Sequence, residues 1–460
     1  MFKLSDDYLI RREFFGGLAI ILGGGEYELD EISTEILLFF ENSNNIHQLK
    51  YFLNEAMQID INIEEINNIL TQLEIFFEPT SLEYKLDDVD RYISSMLVER
   101  NSINNINYLS APLSLSIYPN MKCNLSCSFC FISDEKWDDE NIYYDAEKWI
   151  KVIKQAKNMR VPYLTILGGE PLMYRGIWDI LDYTKKLNIR THITTNGTIN
   201  SNSVIQKLKQ YNNLTIKVSL QSLDEFHNKE TKGDFNQPIK FLKRLKDNNI
   251  DCGIHTVGLK GNFRKAEEIL EFCEENNIND FSMGIFFNIN KVDIEEFSLV
   301  QYREKNIEIQ NLINKKYPNI KYRLEGCQNW TAEPTLKEEN IPRTPFEIIK
   351  SGCDAAQSRL EVMNDGVLLG CALFNKHRHS AGNVFKDDLS SLWKNSKEFE
   401  KLRNFKTRDN DCKSCNFNYF CNGGCPAMNE KYNSTIYEGD ERCNFKQNIK
   451  DMRNNNCNII

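Results

Sequence analysis

Short apolar segments alternate with longer amphipathic segments between residues 111 and 290, and this alternation constrains the fold more than any other feature. The apolar segments predict six strands, at residues 113–118, 163–167, 190–195, 214–219, 252–257 and 281–286. The intervening segments carry apolar residues at helical spacing. Strands alternating with helices indicate βα units and a parallel sheet, hence the α/β class. Six units are fewer than the eight of a closed barrel, which predicts a partial (β/α)6 barrel with functional residues at the carboxyl ends of the strands.

The cysteines are numerous and unevenly placed. The 460 residues include 14 cysteines: none precedes Cys123, three lie within 123–130, and eight follow from Cys353 onward. No run reaches the ~18 apolar residues of a membrane span, and the first residues lack the basic and apolar regions of a signal peptide. We therefore expect a cytoplasmic protein with no membrane partner. In that reducing compartment, the cysteines favour metal ligation or redox chemistry over disulfides.

Residues 1–85 predict a small, acidic, winged-helix-like domain. Strand patterns within 8–30 precede helical patterns at 32–42, 46–56 and 62–77. This segment holds five Lys and Arg against sixteen Asp and Glu, a net charge of −11, whereas the whole chain carries −10. Because attraction to phosphate supplies most nucleic-acid affinity, we expect no nucleic-acid partner.

Three further segments complete the expected organisation. Residues 86–110 are polar and are interpreted as a linker, and 111–290 hold the βα units. Residues 291–350 are charged, contain four prolines and are interpreted as a bridging region. From 351 to 460 the chain consists of short hairpins and cysteine-dense loops, typical of a segment held together by metal.

The first cysteine cluster follows the first predicted strand. Cys123, Cys127 and Cys130 have CxxxCxxC spacing on a loop without glycine. Three thiolates on one short loop can bind three irons of a [4Fe–4S] cluster and leave the fourth iron open to another ligand. Zinc is the alternative, but a structural zinc site needs four ligands.

This segment resembles the radical S-adenosylmethionine (SAM) superfamily, in which an aromatic residue precedes the third cysteine and a GGEP motif ends the second strand. The resemblance implies that the open iron binds SAM and that the resulting 5′-deoxyadenosyl radical abstracts a hydrogen from the substrate. It also implies that the GGEP backbone and carboxylate hold the SAM ammonium, while residues ending strands three and four hold its carboxylate and ribose. The expected SAM-site residues are Phe129, Gly168, Gly169, Glu170, Pro171, Asn196 and Ser219.

Seven C-terminal cysteines resemble the SPASM domain that follows many radical SAM cores. The resemblance implies two auxiliary iron–sulfur clusters, and thus three [4Fe–4S] clusters in the chain. The expected outer ligands are Cys412, Cys415, Cys421 and Cys443, and the expected inner ligands are Cys353, Cys371 and Cys425. Two zinc ribbons would share the CxxC spacing but would not explain the first cluster.

The inner cluster is one ligand short of four. Either Cys327 supplies the fourth ligand or one iron stays open, and an open iron could bind a substrate thiolate. Cys252, Cys273 and Cys457 are assigned no role.

The N-terminal segment resembles the RiPP recognition element, a PqqD-like domain that binds the leader of ribosomally synthesised and post-translationally modified peptides (RiPPs). The resemblance rests on the three-strand, three-helix pattern and on an Arg-x-Glu-x-x-Gly-Gly motif. The matching residues are Arg11 or Arg12, Glu13, Gly16 and Gly17. It implies that an extended leader peptide adds as a strand to an open sheet edge.

Together, the resemblances imply a radical SAM peptide maturase that forms thioether crosslinks from cysteine, served by a reductant such as flavodoxin or ferredoxin. Carbon–carbon or carbon–oxygen crosslinking, epimerisation and sulfatase-type protein maturation by the same machinery are the enzymatic alternatives. A non-catalytic leader-binding or electron-transfer partner is the alternative from another class.

Overall fold

The structure is a computed structural model. It describes residues 1–103, 106–132, 145–290, 292–325, 342–404, 412, 415 and 418–443. The chain divides into two compact units, residues 1–111 and 112–460.

The first unit contains a three-stranded antiparallel sheet and a group of helices. Its elements are β1 (Phe2–Leu4), β2 (Tyr8–Glu13), β3 (Gly16–Ile21), β4 (Glu26–Leu29), α1 (Glu31–Phe39), α2 (Ile46–Met57), α3 (Ile63–Gln72), β5 (Phe77–Pro79) and α4 (Val89–Ile103). The sheet order is β2-β3-β4, and β1 pairs separately with β5. Side-chain caps explain the helix starts, since Asp30 accepts from the Ser33 amide and Asn62 forms a capping box with Glu65. The predicted strands and first three helices are therefore confirmed, whereas the winged-helix likeness stays a prediction.

Helix α4 occupies most of the segment expected to be a linker. Its Met96 side chain is 1% exposed, and Ile93 is also buried. Both residues belong to the core cluster that includes Phe39 and Phe52 of the other helices. The prediction that 86–110 is a linker is therefore wrong. A few apolar residues at helical spacing, among many polar ones, are enough to pack this helix against the core.

The second unit contains the predicted βα series. Its first elements are β6 (Ser114–Ile117), α5 (Ala146–Asn158), β7 (Tyr163–Ile166), α6 (Ile177–Lys186), β8 (Arg190–Thr195), α7 (Asn202–Leu208), β9 (Leu214–Ser219), α8 (Glu225–Thr231), α9 (Asn236–Asp247), β10 (Cys252–Gly258), α10 (Lys260–Phe263), α11 (Ala266–Glu275) and β11 (Asp280–Ile285). The strands β6 to β11 pair in chain order, each parallel to the next. All six predicted strands are confirmed, and their carboxyl ends lie at one edge.

The series continues into the segment expected to be a bridge. Helix α12 (Leu299–Lys316) leads into β12 (Lys321–Glu325), which pairs in parallel with β11. Polar residues alternate with Tyr322 and Leu324 in this strand, and none of its five residues is fully buried. The interpretation of 291–350 as a simple bridge is therefore wrong for 299–325. Helix α13 (Pro345–Lys350) precedes the C-terminal segment.

The C-terminal segment adds two strands to the same sheet. Its elements are β13 (Arg359–Val362), β14 (Leu368–Leu369), α14 (Leu389–Asn395), α15 (Lys397–Asn404), α16 (Asn418–Cys421) and α17 (Pro426–Asn433). Strand β13 is parallel to β6, and β14 is antiparallel to β13. Across the described residues, the sheet order is β12-β11-β10-β9-β8-β7-β6-β13-β14. A turn at Asp365-Gly366, with Gly366 at φ +83°, connects β13 to β14.

Among the helices that the structure describes, none is both long enough and apolar enough to cross a membrane.

Candidate functional site

The first cysteine cluster lies on a loop at the carboxyl end of β6. Cys123, Cys127 and Cys130 are partly exposed. The loop is anchored to the end of α8, where the Ser128 amide donates to the Glu230 carbonyl at 2.8 Å and the Cys127 thiol donates to the Thr231 carbonyl at 3.8 Å. The protein thus holds the cysteines near the strand ends, as the βα pattern predicts.

The two glycines of the GGEP motif pack against the backbone that leads into this loop. A Cβ atom on Gly168 would lie 2.2 Å from the Asn120 carbonyl oxygen, and one on Gly169 would lie 2.2 Å from that of Lys122. The Gly169 amide donates to the Asn120 carbonyl at 2.9 Å, and the Glu170 amide donates to the Lys122 carbonyl at 2.9 Å. Because Gly168 also has φ +128°, only glycine suits both the close contact and the backbone conformation at this position. The two glycines therefore allow the end of β7 to approach the backbone of the cysteine loop closely.

Glu170 joins the ends of two neighbouring strands. Its carboxylate accepts from the Thr195 hydroxyl at 2.7 Å, the Asn196 amide at 2.8 Å and the Leu172 amide at 3.1 Å. The residue is 1% exposed, and burial raises the pKa of its carboxyl, although these hydrogen bonds oppose the rise. The structure thus gives Glu170 an internal role, and its contact with the SAM ammonium stays a prediction.

Asn196 connects the end of β8 to the cysteine loop. Its side-chain amide lies 3.8 Å from the Cys123 sulfur and donates to the Asn124 side chain at 2.9 Å. Its side-chain oxygen accepts from the Thr198 amide at 3.0 Å. Phe129 and Ser219 are partly exposed, Phe129 within the loop and Ser219 at the carboxyl end of β9. The structure therefore brings Asn196 to the cysteines, while the assignments of Phe129, Pro171 and Ser219 remain predictions.

The four cysteines assigned to the outer auxiliary cluster are close neighbours. Burial raises the pKa of the Cys421 thiol far above its usual range, and the nearby Asp440, Cys443, Cys412 and Cys415 raise it further. The Cys415 amide also donates to the Cys412 carbonyl at 3.0 Å. Thiols that are crowded together and disfavour ionisation need a positive partner to become thiolates, which an iron–sulfur cluster supplies. These residues therefore fit such a cluster.

A buried ion pair supports this cysteine region. Asp440 accepts from the Arg442 guanidinium at 3.0 and 2.8 Å, and both side chains are buried. The Asp440 carboxylate also accepts from the Cys425 amide at 3.0 Å, and its carbonyl accepts from the Cys443 amide at 3.0 Å. The pair therefore positions one cysteine from each proposed auxiliary cluster.

The inner ligand set is only partly described. Cys353, Cys371 and Cys425 are buried, and an Arg359 N–H lies 3.6 Å from the Cys371 sulfur. Cys327, the candidate fourth ligand, lies outside the described residues, as does Cys457. Joint binding of the three inner cysteines to one cluster stays a prediction.

The remaining described cysteines suit core positions. Cys252 and Cys273 are buried, and burial raises the pKa of each thiol to about 12. None of the twelve described cysteines is in a disulfide. Within the same residues, no group of three or more His, Cys, Asp or Glu side chains is compact enough for a single metal ion. Cysteines of a [4Fe–4S] cluster bind different irons, so they need not converge on one point.

The Arg-x-Glu-x-x-Gly-Gly motif serves the interior of the first unit. Arg12 forms a paired contact with Glu35 at 2.7 and 2.9 Å, and Arg11 contacts Glu13 at 2.6 Å, all four being buried. A Cβ atom on Gly16, at φ +121°, would lie 2.3 Å from the Leu29 carbonyl oxygen. The motif therefore shapes the hairpin and its contact with α1, and its link to leader binding stays a prediction.

Two pairs of polar side chains inside the sheet were not predicted from the sequence. Tyr118, just after β6, donates to the Glu361 carboxylate at 2.6 Å. His255 on β10 contacts Glu325 on β12 at 3.2 Å. The available signal was a charged or polar residue within an otherwise apolar strand pattern, as in CGIHTV.

Comparisons with known proteins agree with this architecture. Residues 117–273 match the radical SAM superfamily, and residues 353–416 match the SPASM iron–sulfur cluster-binding domain. The chain therefore has an α/β radical SAM fold with a parallel sheet, followed by a SPASM domain.

Individual relatives extend the similarity to nearly the whole chain. The crystal structure of Streptococcus suis SuiB bound to precursor peptide SuiA has a TM-score of 0.84 and 28% identity, covering 96% of this chain and all of SuiB. SuiB bound to S-adenosylmethionine gives a TM-score of 0.83, with the same identity and coverage. Among curated proteins, the radical SAM cyclopropyl synthase TigE of Paramaledivibacter caminithermalis is 24% identical over 92% of this chain and 89% of its own length. The sporulation killing factor maturation protein SkfB of Bacillus subtilis is 24% identical over 42% of this chain and 49% of its length.

Proposed function

We propose that this chain is a radical SAM maturase of a ribosomally made precursor peptide, and that it closes thioether crosslinks from cysteine within that peptide. The similarity to peptide-bound SuiB is the observation that carries the precursor peptide as substrate. The thioether rests on the resemblance of the sequence to thioether-forming maturases. The alignment covers 96% of this chain, so it must include most of residues 1–111 as well as the cysteine-bearing unit.

The first unit binds the leader of the precursor in this proposal. Strand β4 is at the edge of the β2-β3-β4 sheet, and among the described residues no strand pairs with its outer side. Its Tyr27 side chain is exposed, as is Ile32 at the start of the following helix. An exposed sheet edge flanked by apolar side chains suits an extended peptide, whose backbone pairs with the edge strand. The strongly acidic unit would favour a leader with basic residues.

The second unit holds the reactive groups. Cys123, Cys127 and Cys130 would bind the cluster that carries SAM, and bound SAM is the source of the 5′-deoxyadenosyl radical. The chain's own residues fix the geometry: the glycine pair holds the cysteine loop against β7, and Glu170 ties the ends of β7 and β8 together. Asn196 orients a side-chain amide toward the Cys123 sulfur. Protein groups thus provide position and shielding, while SAM and iron provide the difficult chemistry.

In this proposal the SPASM cysteines would hold two auxiliary iron–sulfur clusters, which would take up the electron left by crosslinking. The outer set is Cys412, Cys415, Cys421 and Cys443, and the inner set is Cys353, Cys371 and Cys425. A flavodoxin or ferredoxin would supply the electron that starts each turnover.

Carbon–carbon ring closure is the second candidate, and one observation favours it. TigE, which aligns over 92% of this chain, is a cyclopropyl synthase, and a cyclopropane ring consists of carbon–carbon bonds. Both reactions need the same radical. They differ in whether a sulfur atom or a carbon atom forms the new bond to the substrate carbon.

Cysteine variants test the machinery. Cys123→Ala should abolish 5′-deoxyadenosine formation with dithionite as reductant, because the SAM cluster loses one of its three ligands. Cys412→Ala should keep part of this activity but lose crosslinked product. Cys273→Ala, in the core, controls for the loss of a buried thiol and should keep both. If Cys123→Ala cleaved SAM at the rate of the unaltered chain, the site assignment would be wrong.

The product distinguishes the two candidates. Incubation with the short peptide encoded nearest to this chain in its genome should give a product lighter by two hydrogens per crosslink, with the cysteine protected from iodoacetamide. A product that has lost two hydrogens but still reacts with iodoacetamide would favour carbon–carbon closure and reject the thioether.

A further inference from the structure

His255 lies in the middle of β10 and forms a dyad with a carboxylate two strands away. Its Nδ1 is 3.2 Å from Glu325 Oε2 on β12 and 3.2 Å from Ser282 Oγ on β11. An ionised carboxylate only accepts hydrogen bonds, so Nδ1 of His255 carries the hydrogen in the contact with Glu325. The other ring nitrogen, Nε2, is then the basic nitrogen of the neutral imidazole.

Glu325 is well suited to stabilise a charge on this ring. The Glu325 side chain is 43% exposed, and a carboxyl group in contact with solvent is ionised at neutral pH. A fixed negative charge beside Nδ1 favours the imidazolium that forms when Nε2 takes up a proton.

Gly284 leaves room for the imidazole. It lies on β11, and a Cβ atom there would be 3.0 Å from His255 Cε1 and 3.3 Å from Nε2. Gly284 does not have a positive φ, so its backbone does not require glycine. Glycine within a strand is unfavourable unless something must approach closely. Any side chain at 284 would press on the ring edge that bears Nε2.

The dyad faces the same side of the sheet as a predicted SAM contact. His255 is the register partner of Ser219 on β9 and of Ser282 on β11. Register partners on neighbouring strands point to one face and lie about 5 Å apart. The His255 side chain is 19% exposed, so the ring is not fully buried in the core.

Three other charged groups on this face form ion pairs with each other. Lys217 on β9 lies 2.6 Å from Asp280 on β11, and Arg323 on β12 lies 3.0 Å from the same carboxylate. The groups facing His255 from the adjoining strands are therefore Glu325, Asp280, Lys217 and Arg323. Of these, the structure places Glu325 directly against the ring.

We propose that His255 is the proton acceptor of the crosslinking step. As the carbon–sulfur bond forms and the S–H bond breaks, Nε2 takes the thiol proton and Glu325 stabilises the resulting imidazolium. A carbon-centred radical and a thiol give a thioether, one proton and one electron. The proton goes to His255, and the electron goes to an oxidised iron–sulfur cluster of the SPASM segment.

This inference rests on the proposed function, and the ratio of crosslink to 5′-deoxyadenosine tests it separately. With the same precursor peptide, His255→Asn should still form 5′-deoxyadenosine but lower the crosslink per 5′-deoxyadenosine by about 100-fold or more, as expected for loss of a general base. His192→Asn is the matched control, since His192 lies on β8 about 13 Å nearer the amino end of the same sheet. It should leave the ratio unchanged.

Three further measurements exclude a purely structural role. Imidazole added to His255→Gly should restore crosslinking. Gly284→Ala should lower the ratio with His255 still present, because the added Cβ atom would press on the ring. In the metal-free chain, ¹⁵N spectra of the histidine rings should show His255 with hydrogen on Nδ1.

The outcomes separate the two proposals. An unaltered chain that forms no thioether refutes the proposed function. An unaltered chain that forms the thioether, together with a His255→Asn variant of equal ratio, overturns the inference alone. Loss of crosslinking in His255→Gly that imidazole does not restore, or hydrogen on Nε2 instead of Nδ1, also overturns it.

Discussion

Substitution of Gly169 by alanine tests whether the GGEP motif holds the cysteine loop. The added Cβ atom would lie 2.2 Å from the Lys122 oxygen, 2.4 Å from its carbonyl carbon and 2.6 Å from the Met121 oxygen. All three are backbone atoms, so no side-chain rotation relieves the overlap. Ordinary contact requires about 3.5 Å, and the two backbone segments must therefore separate by about 1 Å.

The expected cost follows from what this separation disrupts. Overpacking costs about 1 to 3 kcal/mol, and each lost backbone hydrogen bond adds about 1 kcal/mol. The bonds at risk are the 2.9 Å contacts that the Gly169 and Glu170 amides make with the loop backbone. We therefore expect Gly169→Ala to lower the free energy of unfolding of the second unit by about 3 to 5 kcal/mol.

Denaturant titration of the anaerobically reconstituted chain measures this change, and iron content per chain reports whether the first cluster remains. Gly23→Ala is the matched control, because a Cβ atom there meets nothing within 4 Å. It should be neutral to within about 0.5 kcal/mol. Gly169→Ala with equal stability and full iron content would refute the role assigned to the motif.

One further variant in each unit tests the packing of that unit. Met96→Ala should lower the free energy of unfolding of the first unit by about 2 to 5 kcal/mol, whereas Val98→Ala on the same helix, 72% exposed, should change it by less than about 0.5 kcal/mol in denaturant titrations. Equal effects of the two would contradict the packing of α4. Asp440→Asn should cost about 3 to 5 kcal/mol, since Arg442 keeps a buried charge without its partner. Iron analysis of this variant should show a loss of bound iron. Unchanged iron content together with unchanged stability would contradict the role of the Asp440–Arg442 pair in positioning the cysteines.

The predictable part of the fold is the part with strong periodicity. Strands such as Leu214–Ser219 alternate apolar and polar residues, and clear amphipathic helices separate them. The cysteine loop and the GGEP segment were identified from spacing, and the structure places both at the carboxyl ends of neighbouring strands.

The missed elements gain their stability from contacts that no local pattern reveals. Strand β12 alternates exposed and half-buried residues and is defined by its pairing with β11. Helix α4 has only three buried residues, so its apolar stripe is weak. The His255–Glu325 pair spans residues 70 positions apart on strands separated by β11, a proximity that depends on sheet order.

The pairing of β13 with β6 makes the SPASM segment part of the sheet itself. Besides the strand register, the Leu113 amide donates to the Ser358 carbonyl at 2.7 Å and the Tyr118 amide to the Val362 carbonyl at 2.9 Å. A chain cut after α13 would expose one side of the strand that leads into the first cysteine loop. An uncovered strand edge is a template for aggregation. A premature stop there should therefore yield an insoluble barrel, so the radical SAM fold depends on the SPASM domain that follows it.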